Sequence, residues 1–212
     1  RSSPVQCVGG TNWREIAIGG MGAIQTDGTL WTWGVNYLGS LGLNRGLQQG
    51  GNPGGAFSSA KQVGTETTWK KMIRGSQNTW ATKTDGTLWV WGSNNKGSLG
   101  LNTAGSPAPY WGTQYSGSKS SPTQLPGEWE NISQIGSSYG LYGLKGNGEI
   151  WAWGQSSPYY GYLLTGNINE GIARSSPVQV GGQDKWANTD DSFNNMYYGH
   201  LGLVNSIPAD DL

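Results

Sequence analysis

Residues 26–44 read TDGTLWTWGVNYLGSLGLN, and residues 84–102 read TDGTLWVWGSNNKGSLGLN. A looser third copy, GNGEIWAWGQSSPYYGYLLTG, occupies 146–166. Working outward, an upstream tryptophan marks each unit: Trp13, Trp69, Trp129 and Trp186, recurring every 56 to 60 residues. A closing phrase also recurs, as SSPVQ from Ser2, SSAKQV from Ser58, SSPTQL from Ser120 and SSPVQV from Ser175. Landmarks that keep one order and one period are the signature of a repeat architecture.

Each unit parses into short strands. WREIAIG (13–19), GAIQT (22–26) and TLWTWG (29–34) are apolar or alternating runs between Gly, Asn and Asp. Asp27-Gly28, Asp85-Gly86 and Asn147-Gly148 fall between two such runs. These dipeptides supply the positive φ angles of a two-residue hairpin turn. The closing phrase is the fourth strand, reached through a loop of variable length. Four strands in a unit of roughly 57 residues describe a propeller blade. The expected fold is therefore all-β, with about three full blades and a degenerate fourth in a single domain, 1–212. Its parts are a closing strand (1–10), unit one (13–63), unit two (69–125), unit three (129–180) and unit four (186–212). No segment carries a helical period.

Composition agrees with a packed β protein. Gly numbers 37 and Trp 12 of 212 residues; aromatics at 11% argue against the disorder that glycine richness alone would suggest. Lys+Arg and Asp+Glu are both 13, so there is no basic footprint for nucleic acid. Cys7 is alone, which excludes an internal disulfide and a multi-cysteine metal site. No run is long and apolar enough for a membrane span.

The sequence opens on RSSPVQCVGG, a last-strand phrase whose first three strands must come from the far end of the chain or from residues outside it. GHLGLVN at 199–205 matches GSLGLN, yet Trp186 lies only 13 residues before Gly199, against 26 from Trp13 to Gly39. The hairpin and the W-x-WG strand are missing there, so unit four is degenerate. Three full blades cannot close a ring alone, and an open arc needs covered ends. Assembly with other subunits is the expected remedy.

The order of hairpin turn, W-x-WG (Trp31–Gly34), N-x-x-G-x-LG (Asn36, Gly39–Gly42) and SP-x-Q (Pro4–Gln6) resembles the repeats of the regulator of chromosome condensation propeller family. The resemblance covers nearly the whole chain. It implies a propeller, and it brings two contexts: exchange-type regulation of a small GTPase on chromatin, and the similar repeats of bacterial and phage surface proteins. Family repeats often carry a His between the first two strands, where this chain has Gly20, Asn78 and Gly140.

The paired tryptophans Trp31 and Trp33, Trp89 and Trp91, Trp151 and Trp153 sit two apart, so each pair shares one strand face. Recurring in register, they are expected to fill the spaces between blades. A second group of aromatics lies out of register, in the loops before the closing strands: Tyr110, Trp111 and Tyr115, then Tyr159, Tyr160 and Tyr162. Variable insertions of a repeat protein collect on one face, and polar-tipped aromatics among Gly and Ser suit protein or glycan contacts. These six are the candidate binding residues.

Catalytic constellations are thin. His200 is the only histidine and occupies the position of Ser40 and Ser98, which reads as a surface turn. Gly50-Gly51 and Gly54-Gly55 lack the Lys-Ser/Thr of a phosphate loop. Asn131-Ile132-Ser133 fits a glycosylation sequon, but Ile132 reads as a buried strand residue. No cofactor or metal is implied. The leading expectation is a non-enzymatic protein- or glycan-binding and assembly module, most simply a structural or host-attachment part of a virion or cell surface, and extracellular. The alternatives are a nucleotide-exchange-type regulator of a small GTPase and a secreted protein inhibitor of an enzyme.

Overall fold

The computed structural model describes residues 12–17, 19–45, 55–75, 77–103, 117–135, 140–155 and 173–180. They form three four-stranded antiparallel sheets, each meandering in chain order. Blade one holds β1 (Trp13–Ile16), β2 (Gly22–Gln25), β3 (Leu30–Val35) and β4 (Ala56–Gln62). Blade two holds β5 (Trp69–Arg74), β6 (Asn78–Lys83), β7 (Thr87–Gly92) and β8 (Lys119–Glu128). Blade three holds β9 (Asn131–Ile135), β10 (Gly140–Leu144), β11 (Ile150–Gln155) and β12 (Ala173–Val180). The propeller-type architecture expected from the repeat is the one observed. The closing strand at 1–10 and unit four at 186–212 lie outside the described residues.

The hairpin between the second and third strands differs in detail from the two-residue turn read in the sequence. Gly28 N donates to Gln25 O at 2.9 Å, and Gln25 N donates to Thr29 O at 2.9 Å, so the loop has three residues, Thr26 to Gly28. Only Gly28 has a positive φ, 82°; Asp27 keeps a negative one. The reason is the Asp27 carboxylate, which accepts from Thr29 N (2.9 Å) and Thr29 Oγ1 (2.7 Å) and so acts as a side-chain turn. Asp85 and Thr87 repeat this at 3.0 and 2.7 Å, with Gly86 at φ 80°.

Two 3-10 turns, Tyr37–Gly39 and Asn95–Gly97, interrupt the otherwise all-β described residues. Each is folded over an asparagine: Asn36 Oδ1 accepts from Leu41 N, and Asn94 Oδ1 from Leu99 N, both at 3.0 Å. This is the physical content of the N-x-x-G-x-L motif.

The motif builds the seam between blades. Trp91, fully buried, donates from Nε1 to Ser40 O of blade one at 3.1 Å, and Thr79 Oγ1 donates to the same carbonyl at 2.8 Å. Gly42, at φ 71°, lies against the indole; a Cβ there would meet Trp91 Nε1 at 2.8 Å. Only glycine fits. Trp153 lies in the same way against Gly100. Ser40 and Ser98 are completely buried. The surface-turn reading of that position is therefore overturned, and in the first seam the Ser40 carbonyl faces the next blade and accepts hydrogen bonds there. At the next seam the glycine contact recurs without that hydrogen bond: Ser98 O accepts from Trp80 Nε1 of its own blade at 3.1 Å, and Trp153 Nε1 has no partner among the described residues.

Two apolar cores follow the seams. One joins Ile24, Leu30 and Val63 of the first unit to Trp69, Met72 and Trp91 of the second. The other joins Trp80, Leu88 and Val90 to Trp129, Ile132, Leu141 and Trp153. Arg74 strengthens the first seam. Its guanidinium donates to Val35 O and Ser40 Oγ (both 3.1 Å) and, more weakly, to Met21 O and Trp33 O (3.4 and 3.5 Å). Burial lowers its pKa to about 10, so it remains charged at neutral pH.

Candidate functional site

The six loop aromatics, Tyr110, Trp111, Tyr115, Tyr159, Tyr160 and Tyr162, lie outside the described residues. What the structure shows is where their loops are rooted. Each loop leaves the end of a third strand and returns at the start of a fourth, around 45–55, 103–117 and 155–173. The roots are tied into the seams. Asn44 N donates to Ser120 O (2.8 Å) and Asn102 N to Ser175 O (2.7 Å), while Asn94 Nδ2 donates to Thr103 O (2.8 Å). These contacts repeat from the first seam to the second, so the first two loops are rooted alike, and all three loops join the third strand of a blade to its fourth.

The opposite end carries a second arrangement. Lys83, at the end of β6, has its Nζ 3.9 Å from the centre of the Trp89 ring, 4.9 Å from that of Trp69, and 2.6 Å from Glu66 Oε2. Lys145 repeats it in blade three, 4.2 Å from Trp151, 5.6 Å from Trp129 and 4.0 Å from Glu149. In blade one the same position is Gln25. A cation over an indole face is worth about 0.5–2 kcal/mol, more as water is excluded. Lys83, with a side chain only 7% exposed, is the more strongly held of the two.

The two tryptophans of each pair thus have different surroundings. Trp91 and Trp153 are fully buried in the seams. Trp31, Trp89 and Trp151 are half-buried, and their indole N–H groups brace the hairpins: Trp31 to Thr29 Oγ1 at 2.8 Å, Trp89 to Thr87 Oγ1 at 2.9 Å, and Trp151 to Glu149 Oε2 at 3.1 Å. Trp33 is also half-buried. Edge-on contacts join Trp69 to Trp89 and Trp91 at 6.3 and 6.1 Å, and Trp13 to Trp31 and Trp33 at 6.2 and 6.4 Å.

Beside Lys83 a groove of about 500 Å³ runs along the first seam, bounded by Leu43, Asn44, Gln62, Glu66, Trp89 and Pro122 among others. Its polar groups are neutral or paired, so it offers contact area and hydrogen bonds rather than a reacting group. Neither Lys83 nor Glu66 stands out in the sequence, because a lone Lys and a lone Glu form no motif. The available signal was the lysine shared by positions 83 and 145, each between register tryptophans.

The first strands are linked across blades as well. Arg14 Nη2 donates to Trp69 O (2.7 Å) and Lys70 O (3.2 Å), and Lys71 Nζ donates to Asn131 Oδ1 (2.6 Å). Burial raises the Glu15 pKa against the opposing pull of Lys71 and Arg14. Asn131 is buried and engaged, and Ile132 is fully buried, so this sequon is not available in the folded protein. Asn78, where family repeats carry His, is fully buried at the start of β6, and neither of its amide atoms has a hydrogen-bond partner.

No protein-family model and no curated protein matches the chain. Solved structures do. Prp20p from Saccharomyces cerevisiae, reported with its binding to Gsp1p and histones, matches at a TM-score of 0.62 and 17% identity, over 81% of this chain and 39% of that one. Human WBSCR16 matches at 0.62 and 19%, over 88% and 45%. Yeast RCC1 (Prp20) with Kap60 bound to it matches at 0.62 and 17%, over 81% and 37%. The chain spans less than half the length of each of these. At such identities the likeness shows a shared fold, the RCC1-like β-propeller arrangement.

Proposed function

We propose that this propeller is a non-enzymatic binding and assembly module that recognises a protein or glycan through its loop face. One observation carries the reading. The strand framework repeats from blade to blade, while the three loops between third and fourth strands differ in length and two of them hold the out-of-register aromatics. Rigid scaffold and variable loops are the division of labour of a binding protein. Proteins sharing the fold bind protein partners, Prp20p binding Gsp1p and histones and yeast RCC1 binding Kap60, which supports the coarse reading. The zero net charge, the low charged fraction of 12% and the Ser-, Asn- and Gly-rich composition favour a structural or host-attachment role on a virion or cell surface, outside the cell.

The test is binding of labelled protein to intact cells and to a glycan array, with Tyr110→Ala, Trp111→Ala and Tyr159→Ala combined. Loss of binding with an unchanged circular dichroism spectrum supports the reading; undiminished binding refutes the loop face. The fold shared with Prp20p favours a second reading, an exchange-type regulator. Acceleration of nucleotide release from a small GTPase would select it over the first.

A further inference from the structure

The two described seams differ at the connection from one blade to the next. Gln62 and Gln124 hold equivalent places, opposite Trp31 and Trp89. Trp69 lies seven positions after the first, and Trp129 only five after the second. At the second seam the shorter connection stays on the sheet. Glu128 still pairs with Thr87, and a Cβ on Gly127 would meet the Trp129 indole at 3.3 Å. At the first seam β4 ends at Gln62, residues 64–68 are exposed, and a Cβ on Gly64 would meet nothing within 4 Å. Two extra residues thus open the first seam, and the groove of about 500 Å³ lies there, bounded on one side by residues 62–66.

The groove's side chains suit a neutral ligand rich in hydroxyls. Among the described residues no hydrogen bond engages the side chains of Asn44, Gln62, Thr65 or Ser121, all of which line it. Comparable groups nearby are spent on the fold, as Asn94 is on Thr103 and Asn36 on Leu41. Side-chain amides both donate and accept, which matches neighbouring hydroxyls on a ring. Among the described residues that line the groove, only Glu66 carries charge, and Lys83 neutralises it at 2.6 Å. Its carboxylate can therefore accept from a hydroxyl without calling for a cation. Lys83 covers one face of the Trp89 ring but does not line the groove, so the half-buried indole is left to pack on the C–H face of a sugar ring. The volume falls within the range of small-ligand sites, about 300–1,000 Å³. A peptide would need open apolar sockets, whereas Val63 and Trp69, each 1% exposed, are already committed to the core. We infer that the first seam holds a binding site for a neutral mono- or disaccharide, with Trp89 as its platform and Asn44, Gln62 and Glu66 as partners for the hydroxyls. This site stands independently of what the loops bind.

The test titrates the full chain with glucose, galactose, mannose, N-acetylglucosamine, maltose and lactose, with glucuronic acid and a decaproline peptide alongside. Saturation-transfer NMR and calorimetry read the binding. Saturable binding of at least one neutral sugar, in the millimolar range or tighter, is expected. Asn44→Gly combined with Gln62→Ala should weaken it about tenfold or more; glycine is chosen because Asn44 holds φ 53°. Thr65→Phe, at an exposed position off the ladder, should give a similar loss by filling the groove. Asn102→Gly with Gln124→Ala, the equivalent positions at the closed second seam, should leave binding unchanged, and all variants should keep the parent's circular dichroism spectrum. No response to any neutral sugar would overturn the inference. So would a response that both groove variants leave intact, or one that the second-seam variant loses equally, because the sugar would then be held elsewhere. Binding of glucuronic acid alone, or of decaproline alone, would overturn it in favour of an acidic sugar or a peptide.

Discussion

Replacing Gly42 by alanine separates two costs that usually arrive together. Gly42 has φ 71°, and an added Cβ meets Trp91 at 2.8, 3.1 and 3.2 Å. Gly20 has φ 70° and nothing within 4 Å of the same added atom. An L-residue held at such a φ costs about 1–2 kcal/mol. The change in unfolded-chain entropy is common to both variants and cancels in their difference. At Gly42 the indole must also move, which brings an overpacking cost of about 1–3 kcal/mol and loosens the Trp91 bond to Ser40 O. For a chain of this size each kcal/mol lowers Tm by about 2–4 °C. Gly20→Ala is therefore expected to lose about 2–8 °C and Gly42→Ala about 2–12 °C beyond that. Thermal melts followed by near-ultraviolet circular dichroism, which senses the indole environment, give both values. Equal losses would refute the reasoning, because Trp91 would then not be locked against Gly42.

Thr79→Val removes one of the two hydrogen bonds to Ser40 O and is expected to cost about 1 kcal/mol in a urea melt. No change would show that the Trp91 bond alone holds the seam. Lys83→Met is expected to cost more than Lys145→Met, by about 1 kcal/mol, because Lys83 is closer to its rings and better shielded from water. Reversal of that order would remove the argument from burial. The Asp27 and Asp85 carboxyls are held below the usual range by bonds from the Thr29 and Thr87 hydroxyls and amides. A lowered folded-state pKa stabilises above the ordinary Asp value, about 3.9, and that stabilisation is lost as pH falls through the lowered one. Tm measured from pH 6 to pH 2 should therefore fall more steeply in the native protein than in Asp27→Asn, Asp85→Asn. Parallel curves would contradict the role given to the turns.

The blades were legible because Trp, Gly and the closing phrase recur at a fixed period, and periodicity survives ignorance of tertiary contacts. The 3-10 turns were not. They depend on Leu38 and Lys96 adopting φ of 50° and 58°, which no propensity for those residues announces. Ser40 misled for a related reason: what matters at that position is the main-chain carbonyl, so the side chain carries little information. Lys83 went unnoticed because a lone lysine carries no motif until the rings that hold it are known, and Trp69 is distant from it in sequence. Asp27 suggested a mirror-image turn, but its own carboxylate supplied an alternative closure. For the loop aromatics the sequence says where they attach and what chemistry they bring, while the described residues stop at their roots.

Those roots have a consequence for how such a protein can change. The first two variable loops are clamped at their bases by hydrogen bonds that belong to the seam, as where Asn44 meets Ser120. Lengthening a clamped loop costs little, about 0.6 kcal/mol for each doubling. The blades therefore behave as sockets, and recognition can be exchanged by grafting one loop for another while the tryptophan framework stays untouched.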